Sequence, residues 1–253
     1  MSLLTRRRLI GSLGAGAGGL LLSECDRINA SPTVQTLLGL GEKATFKAQR
    51  IISDRSALAP EYSASEMSPF FRTNGNRDPG TPEYAAHVAN NFADWRLVVD
   101  GLVTNPLSLS LAQIRSLPRR TQITRHDCVE GWSAIGQWTG LPLGLLLKQA
   151  RPTAAARYIV FHCADHFGAN AYYESIDLID AFHPQTILAW AMNGHALDVG
   201  HGAPLRLRVE RQLGYKQAKY VMRVEAVASL AGIGGGKGGY WEDVVGYQWY
   251  AGI

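Results

Sequence analysis

Cysteine is scarce in this chain of 253 residues, which has three, at positions 25, 128 and 163. So few cysteines exclude a disulfide-rich scaffold, in which several crosslinks replace a hydrophobic core. Cys25 lies three residues after the end of an apolar N-terminal stretch, which leaves Cys128 and Cys163 for the body of the protein. In an oxidising compartment two such cysteines usually form one disulfide. A metal ligand and a buried free thiol are the alternative interpretations.

Long hydrophobic runs are also missing. The apolar stretch at residues 9–22 is too short to span a membrane, but its length is typical of the core of a signal peptide. The three arginines at residues 6–8 predict export by the twin-arginine route, with an ordinary secretory leader as the alternative. We therefore predict a signal peptide at residues 1–30 and a periplasmic protein. Glu24 argues against a lipid anchor at Cys25, because a small residue is expected directly before the modified cysteine.

The chain has little net charge. The formal net charge of +4 includes three arginines of the predicted leader, which leaves about +1. No basic run interleaves with aromatic residues, so we expect no nucleic-acid surface. Two enzyme motifs are absent as well. Ile135 stands where a nucleophile elbow at Ser133 needs glycine, and the GKG sequence at residues 236–238 lacks the Ser or Thr of a P-loop.

Periodicity and turn residues predict strands mixed with short helices. Helices are predicted at residues 37–56, 111–117 and 141–150, the second capped by Ser110. Strands are predicted at residues 95–99, 158–161, 186–192, 205–209 and 220–227, the first leading into a hairpin turn at Asp100-Gly101. Residues 122–126 are expected to lead into a turn at Cys128. Residues 62–82 and 232–241 are predicted loops, the first wrapping the surface. Without βαβ regularity or a repeat, the pattern predicts an α+β fold of mixed sheets. We place an N-terminal helix and wrapping loop at residues 31–85 and the main domain at residues 86–253.

The segment RHDCVEGWS at residues 125–133 surrounds Cys128 with unusually polar neighbours. Arg125 and His126 would favour the thiolate, which is the form that binds metals. One protein thiolate does not complete a zinc site, so other protein ligands or a non-protein ligand would have to join it. A buried thiol that acts as a small hydrophobe is the plainer interpretation.

A zinc site could be assembled from the HCADH sequence at residues 162–166 together with Cys128. His162 and His166 would share a helix face, but the β-rich run at residues 158–161 predicts a strand instead. We therefore consider zinc the weaker alternative.

Two later segments offer groups that bind anions. They are HGAPLR at residues 201–206 and LGYKQAK at residues 213–219. The glycine and proline of the first predict a tight turn whose backbone N–H groups can face a ligand. Arg206 offers a planar fork of donors for phosphate, and Lys219 offers a movable point charge. Solvated basic residues on an ordinary strand–turn–strand are the alternative.

Together with NNF at residues 90–92, the segments at residues 128–133, 201–206 and 214–219 follow the order of the sulfite oxidase superfamily. The chain resembles its bacterial exported molybdopterin-dependent members, which include protein-methionine-sulfoxide reductases, from about residue 90 onwards. The resemblance implies a sulfite oxidase-type molybdopterin-binding fold and a Mo-molybdopterin cofactor. It also implies that molybdenum is held by the cofactor's dithiolene sulfurs, oxo ligands and one protein cysteine.

By the same matching, Cys128 is the metal ligand and the catalytic residue. A metal-bound Cys128 would be unable to pair with Cys163, which removes the disulfide interpretation. Cys163 stands where related proteins often have threonine, and this departure puts its side-chain role in doubt. The residues that the resemblance assigns to the cofactor are Asn90, Ala93, Asp94, Cys163, His201, Arg206, Gln217, Ala218 and Lys219.

The implied reaction is oxygen-atom transfer, with electrons exchanged through a separate redox partner such as a cytochrome or a membrane haem. Sulfite-oxidising relatives present several arginines to their anion, whereas Cys128 is followed by VEGW at residues 129–132. This acidic and aromatic rim disfavours a small dianion and favours a sulfoxide or a related oxo-compound. Candidate substrate-pocket residues are Arg125, Trp132, Tyr172 and Tyr173.

Three alternatives remain at this point: a sulfite dehydrogenase of the same fold, a non-catalytic cofactor-binding module, and a disulfide-stapled secreted domain. We also expect a monomer, because the chain leaves no room for the dimerisation domain of larger relatives.

Overall fold

A computed structural model describes residues 31–52 and 54–253, which divide into two units, one ending at Asp54 and the other spanning Arg55–Ile253. In the first unit, helix α1 spans Pro32–Ile52 and begins with proline at a position where its missing N–H costs no hydrogen bond. The helix predicted at residues 37–56 is therefore correct in type but begins earlier and ends sooner. The predicted signal peptide lies outside the described residues. Within the described ranges, none of the helices has both the length and the apolar character needed to cross a bilayer.

The second unit is built on two sheets. Its described residues form ten strands: β1 Arg96–Gly101, β2 Leu107–Ser110, β3 Arg120–Cys128, β4 Trp132–Pro142, β5 Tyr158–Phe167, β6 Asn170–Asp177, β7 Ile187–Met192, β8 His195–Ala196, β9 Arg206–Arg208 and β10 Val221–Val227. The first sheet has the order β2–β1–β10–β5–β6, with β1 and β10 parallel and the other pairs antiparallel. The second has the order β3–β4–β7–β8, and β9 also pairs with β7.

Short helices connect these strands: α2 Pro82–Ala89, α3 Leu111–Ser116, α4 Leu143–Ala150, α5 Leu178–Ala181 and α6 Tyr240–Val245. The predicted capping of α3 is confirmed, because the Ser110 hydroxyl accepts the Gln113 N–H at 3.2 Å. The helix predicted at residues 141–150 begins two residues late, since Leu141 and Pro142 still belong to β4. The prediction of an α+β fold of mixed sheets with short helices is confirmed.

The strands predicted at residues 186–192, 205–209 and 220–227 match β7, β9 and β10 to within one residue at each end. The run predicted at residues 158–161 extends to the whole of β5. Residues 122–126, which were expected only to lead into the Cys128 turn, belong to strand β3. Asp100 and Gly101 end β1 rather than forming the turn, which follows at residues 102–106 before β2. The predicted loop at residues 232–241 ends early, because Tyr240 and Trp241 start α6.

The hydrophobic core is set by the periodicities that these elements require. Leu97 and Val99 alternate inward on β1, as expected for a strand with one buried face. In α4, Leu143, Leu146, Leu147 and Ala150 are all fully buried at helical spacing. Each buried aliphatic side chain contributes roughly 1.5–3 kcal/mol of transfer free energy.

The hairpin of β3 and β4 positions the key cysteine. Its pairing runs in register from Arg120 opposite Gly140 to Cys128 opposite Trp132. The turn is closed by the Gly131 N–H, which donates to the Cys128 carbonyl at 3.0 Å. Gly131 has φ +84°, a conformation that glycine adopts without strain. Cys128 is therefore fixed at the tip of a regular hairpin.

Candidate active-site cleft

A cleft of about 140 Å³ opens beside the tip of the β3–β4 hairpin. It is lined by Asn74, Gly75, Asn76, Cys128, Val129, Glu130, Asp165, Phe167, Tyr172, Gly214, Tyr215, Gln217, Lys219, Trp241 and Tyr247. Of the predicted site residues, Cys128, Tyr172, Gln217 and Lys219 line this cleft. The other predicted site residues lie around it or elsewhere, as described below.

Cys128 is buried, with 8% of its surface exposed, and it is a free thiol. Burial raises the pKa of Cys128, and a hydrogen bond from the Glu130 backbone only partly opposes that effect. The expectation that neighbouring positive charge favours the thiolate was wrong. Arg125 is turned outward and donates to Asp127 at 2.9 Å, while His126 is neutral because burial and then Arg208 hold its pKa well below the ordinary value. The thiol therefore keeps its proton until a metal replaces it.

Cys163 is likewise a buried free thiol, and burial raises its pKa well above the ordinary value. Because neither cysteine is crosslinked, the structure gives no support to a disulfide-stapled domain. The zinc alternative also fails. His162 and His166 lie on strand β5, where four residues span about 13 Å, and His162 pairs with Glu225 at 2.8 Å. The described part of the chain holds no group of three or more His, Cys, Asp or Glu residues placed to bind a metal.

Arg206 is the clearest sign of a missing anionic partner. Its side chain is buried, and Nη1 donates to the His201 carbonyl at 3.1 Å. Nε and Nη2 are buried without a hydrogen-bond partner. Burial, and then repulsion from Arg208, lower the pKa of Arg206 to about 9. Because unmade hydrogen bonds of buried donors are costly, these two donors are suited to an anion that the protein binds.

Lys219 reaches the cleft from the segment before β10. Its Nζ donates to the carbonyls of Asn74 at 2.7 Å, Gly200 at 2.9 Å and Asn76. Burial, and then repulsion from Arg206, lower the pKa of Lys219 to about 7. The Asn74 and Asn76 contacts correct the prediction that residues 62–82 form only a surface loop, since part of that loop lines the cleft.

The segment from Gly214 to Gln217 approaches β3 closely. A Cβ at Gly214 would lie 2.5 Å from Nε2 of His126, so only glycine allows this approach. The Gln217 amide nitrogen donates to the Gln212 carbonyl at 3.2 Å, and its side chain also forms a hydrogen bond with the buried His126 ring. The Ala218 carbonyl accepts the Leu207 N–H at 2.7 Å, which joins this segment to β9.

The remaining predicted cofactor residues lie outside the cleft lining. Asn90 ends α2, and its Oδ1 accepts the Ala93 N–H at 3.3 Å. Asp94 is exposed and pairs with His87 at 2.9 Å. His201 is held by Asp198, at 2.8 Å from Nδ1, and its Nε2 lies 3.2 Å from the Phe71 carbonyl.

One side of the cleft is formed by five rings, which we call the aromatic wall: Phe167, Tyr172, Tyr215, Trp241 and Tyr247. Phe167 and Trp241 pack edge to face at 5.1 Å, and Tyr215 and Tyr247 lie 5.0 Å apart. The Tyr172 hydroxyl donates to the Tyr215 carbonyl at 2.8 Å. The wall therefore consists of side chains that hold one another in place.

Only one of the four predicted substrate-pocket residues belongs to this wall, namely Tyr172. Trp132 donates to Glu130 at 3.0 Å and packs edge to face on Phe71. Tyr173 donates to Asp243 at 2.5 Å and is not among the residues that line the cleft. The other four rings of the wall were missed, because they come from three separate segments and carry no local motif.

Comparisons with known proteins agree with one another. Residues 84–230 match the family described as oxidoreductase molybdopterin binding domain. The chain is 37% identical over 235 residues to the putative protein-methionine-sulfoxide reductase subunit YedZ1 of Azospira oryzae, a match that covers 93% of this chain and 83% of that protein. It is also similar to the crystal structure of the sulfane dehydrogenase SoxCD from Paracoccus pantotrophus. The TM-score is 0.50 at 25% identity, with 54% of this chain and 39% of that chain covered.

Proposed function

We propose a function for this chain on one premise: it belongs to the family of oxidoreductases that contain a molybdopterin-binding domain. It is therefore an oxidoreductase whose cofactor is Mo-molybdopterin. Our proposal is that the protein is exported and removes the oxygen atom from a sulfoxide, with electrons supplied by a separate redox partner.

The residues around the cleft fit that cofactor. Among the residues that line the cleft, Cys128 is the one thiol, and it is available as a ligand for a soft metal. Two buried donors of Arg206 have no protein partner, which suits the phosphate end of the cofactor. Gln217 lines the same cleft with a buried amide group that can face the cofactor. We assign these three residues, with Lys219, to the binding of Mo-molybdopterin.

In this assignment the protein binds, orients and shields, while the cofactor carries out the redox chemistry. When bound, Mo-molybdopterin supplies a two-electron redox change and a position for the transferred oxygen atom. Overall, a sulfoxide, two protons and two electrons give a thioether and water. Cys128 must lose its proton to become a ligand, and its fixed place on the hairpin determines where the metal is held.

We choose the substrate class from the residues that line the cleft. Glu130 and the aromatic wall line the same cleft as Cys128. Among the lining residues that the structure describes, Lys219 is the single cationic side chain, and its Nζ already contacts three backbone carbonyls. A small dianion such as sulfite would meet the Glu130 carboxylate without a free cation, whereas a neutral sulfoxide with apolar substituents would contact the rings. The name of the YedZ1 relative supports the same substrate class.

The second candidate is oxidation of a reduced sulfur compound. It is favoured by the similarity to the sulfane dehydrogenase structure, although this chain covers 39% of that chain. The two candidates differ in direction, so one pair of assays separates them. A reductase consumes electrons from a reduced dye in the presence of methionine sulfoxide, whereas a dehydrogenase reduces an oxidised dye in the presence of sulfite or a sulfane.

The test uses protein from a host that makes molybdopterin. Molybdenum per chain is measured first, followed by the two assays. Turnover of methionine sulfoxide, absent from cofactor-free protein, is the expected result. Sulfur-compound oxidation without sulfoxide reduction would favour the second candidate. Bound molybdenum with neither activity would favour a non-catalytic cofactor-binding module.

Export and the partner are further parts of the proposal. The three arginines at residues 6–8 support the twin-arginine route, which moves folded proteins with their cofactors. Changing Arg6 and Arg7 to lysine keeps the charge, and it should leave the protein in the cytoplasm when cell fractions are compared. Unchanged export would contradict this route. The electron partner is proposed to be a cytochrome or a membrane haem protein, and the chain itself to be a monomer.

A further inference from the structure

Beneath the aromatic wall lies a buried group of three charged residues that do not line the cleft. Lys216 Nζ lies 2.5 Å from Glu174 Oε2 and 2.6 Å from Glu242 Oε1. All three side chains are almost completely buried. Desolvating three charged groups is expensive, so such a cluster needs a compensating function or an unusually complete set of partners.

The cluster joins the three elements that carry most of the wall. Glu174 lies on β6, two residues after Tyr172, and Glu242 lies on α6, directly after Trp241. Lys216 ends the 3-10 turn Gly214–Lys216, directly after Tyr215. One ammonium group therefore connects the segments of three rings that border the cleft.

The two carboxyl groups also face each other. Oε1 of Glu174 and Oε2 of Glu242 are buried without other partners. Both approach Gly239, where a Cβ would lie 2.6 Å from the first and 2.1 Å from the second. Two such oxygens are satisfied if one carboxyl group is protonated and donates to the other.

The charge balance agrees with this geometry. Burial raises the pKa of Glu174 well above its ordinary value, against the attraction of Lys216 and with repulsion from Glu242. Burial opposes protonation of Lys216, but Glu174 and Glu242 outweigh it and raise the pKa of the ammonium group. One ammonium, one carboxylate and one neutral carboxyl group give a cluster of zero net charge.

We propose that Glu174, Lys216 and Glu242 form a proton-sharing clamp that fixes the aromatic wall and thereby sets substrate affinity. They are positioning residues, because none of the three side chains lines the cleft. The inference rests on the proposed function only in taking the cleft as the substrate site.

The clamp predicts that glutamine substitutions at Glu174 and Glu242 have non-additive effects on KM. In Glu174→Gln the amide replaces the neutral carboxyl group, donating to Glu242 and accepting from Lys216. In Glu242→Gln the amide donates to an ionised Glu174, so the cluster is again neutral. Each single variant should therefore keep KM close to that of the wild type. The double variant leaves the Lys216 cation without a carboxylate, and we expect KM to rise about tenfold or more with kcat changed less than about threefold.

A second variant tests the same clamp without changing charge. Gly239 has φ −170° and ψ 165°, a backbone that alanine adopts without strain. Gly239→Ala places a methyl group between the two carboxyl groups and should raise KM in the same way. Gly232→Ala in the same glycine-rich loop, where a Cβ meets nothing within 4 Å, is the matched control.

The readouts are KM and kcat, molybdenum per chain, and the near-ultraviolet circular dichroism of the aromatic residues. The clamp predicts an altered near-ultraviolet spectrum for Gly239→Ala and for the double variant, with molybdenum content retained. If Gly239→Ala and the double glutamine variant both keep the wild-type KM and spectrum, the clamp proposal is wrong. It is also wrong if each single glutamine variant raises KM as much as the double variant does. If the wild type reduces no sulfoxide, the proposed function fails, while the spectra still test the clamp.

Discussion

The guanidinium group of Arg206 lies over the indole ring of Trp138, with Cζ 4.8 Å from the ring centroid. Arg208 approaches the same ring at 4.3 Å. Their hydrogen bonding differs: Arg208 donates to both carboxylate oxygens of Glu210, at 3.0 and 2.6 Å, whereas Arg206 leaves two buried donors unused. Two neighbouring arginines on one ring therefore have different roles, one holding the fold together and the other available to an anionic ligand.

This difference leads to opposite predictions for the two methionine variants. Arg206→Met should lower the molybdenum content to less than about a tenth of the wild-type level. It should leave the stability of cofactor-free protein unchanged or raise it by about 1–3 kcal/mol, because two unmet donors disappear. Arg208→Met should cost about 3–5 kcal/mol, because it leaves the Glu210 carboxylate buried and unpaired. Elemental analysis and urea unfolding give both quantities, and a full molybdenum content in Arg206→Met would contradict the assignment.

Cys128 and Cys163 also allow a matched comparison, since both are buried free thiols. Cys128→Ser should reduce turnover by a factor of about 10³ or more, because an alcohol replaces the only assigned metal ligand of the protein. Cys163→Ser should retain most of the turnover. Circular dichroism should show both variants folded. Equal loss of activity in the two variants would argue against a special role for Cys128.

The extent to which the sequence predicts this fold follows from how local each signal is. The run at residues 220–227 was predicted almost to the residue, because apolar side chains of β10 recur at strand spacing. Strand β4 was missed, because Gly136 and Gly140 interrupt its pattern. Glycine is required at both positions because of tertiary contacts that the sequence does not reveal. A Cβ at Gly140 would lie 2.3 Å from the Leu188 carbonyl oxygen, and one at Gly136 would lie 3.1 Å from the Phe71 ring.

The same contrast applies to the site. Cys128 could be singled out because its polar neighbours are adjacent in sequence, and Arg206 because it follows a Gly-Ala-Pro turn. The aromatic wall could not, since Phe167, Tyr215 and Trp241 meet only after three distant segments have folded. The direction of the pKa shift of Cys128 could not be predicted from the sequence either, because burial decides whether His126 is charged.

The acid stability of the fold should depend on His183, far from the assigned metal ligand in sequence. Its Nδ1 accepts the Gln185 N–H at 3.3 Å and its Nε2 donates to the Ala57 carbonyl at 3.1 Å, which defines the neutral ring. Burial lowers the pKa of His183 below the ordinary 6.5. The unfolded chain therefore binds a proton at a higher pH than the folded protein does, and stability is lost as the pH falls below about 6.5.

His183→Gln removes this titration, so the variant should lose less stability than the wild type between pH 7.5 and pH 5 in urea unfolding. His195→Gln serves as the control, because His195 is exposed on β8. The same loss of stability in His183→Gln and in the wild type would show that other groups account for the acid sensitivity.

Gly214 should prove indispensable to the cofactor segment for a steric reason. An alanine methyl there would lie 2.5 Å from Nε2 of His126, 2.6 Å from its Cε1 and 3.3 Å from the Asp127 carbonyl oxygen. Because His126 is fully buried, neither its ring nor the added methyl group has room to move. Overpacking of this kind lowers the stability of a protein by about 1–3 kcal/mol. The displacement should also move Gln217 and Lys219, so Gly214→Ala should bind less molybdenum as well as unfold at lower urea. Gly232→Ala, which meets open space, should change neither quantity, and a Gly214→Ala protein with normal stability and molybdenum content would show that the segment tolerates a shift.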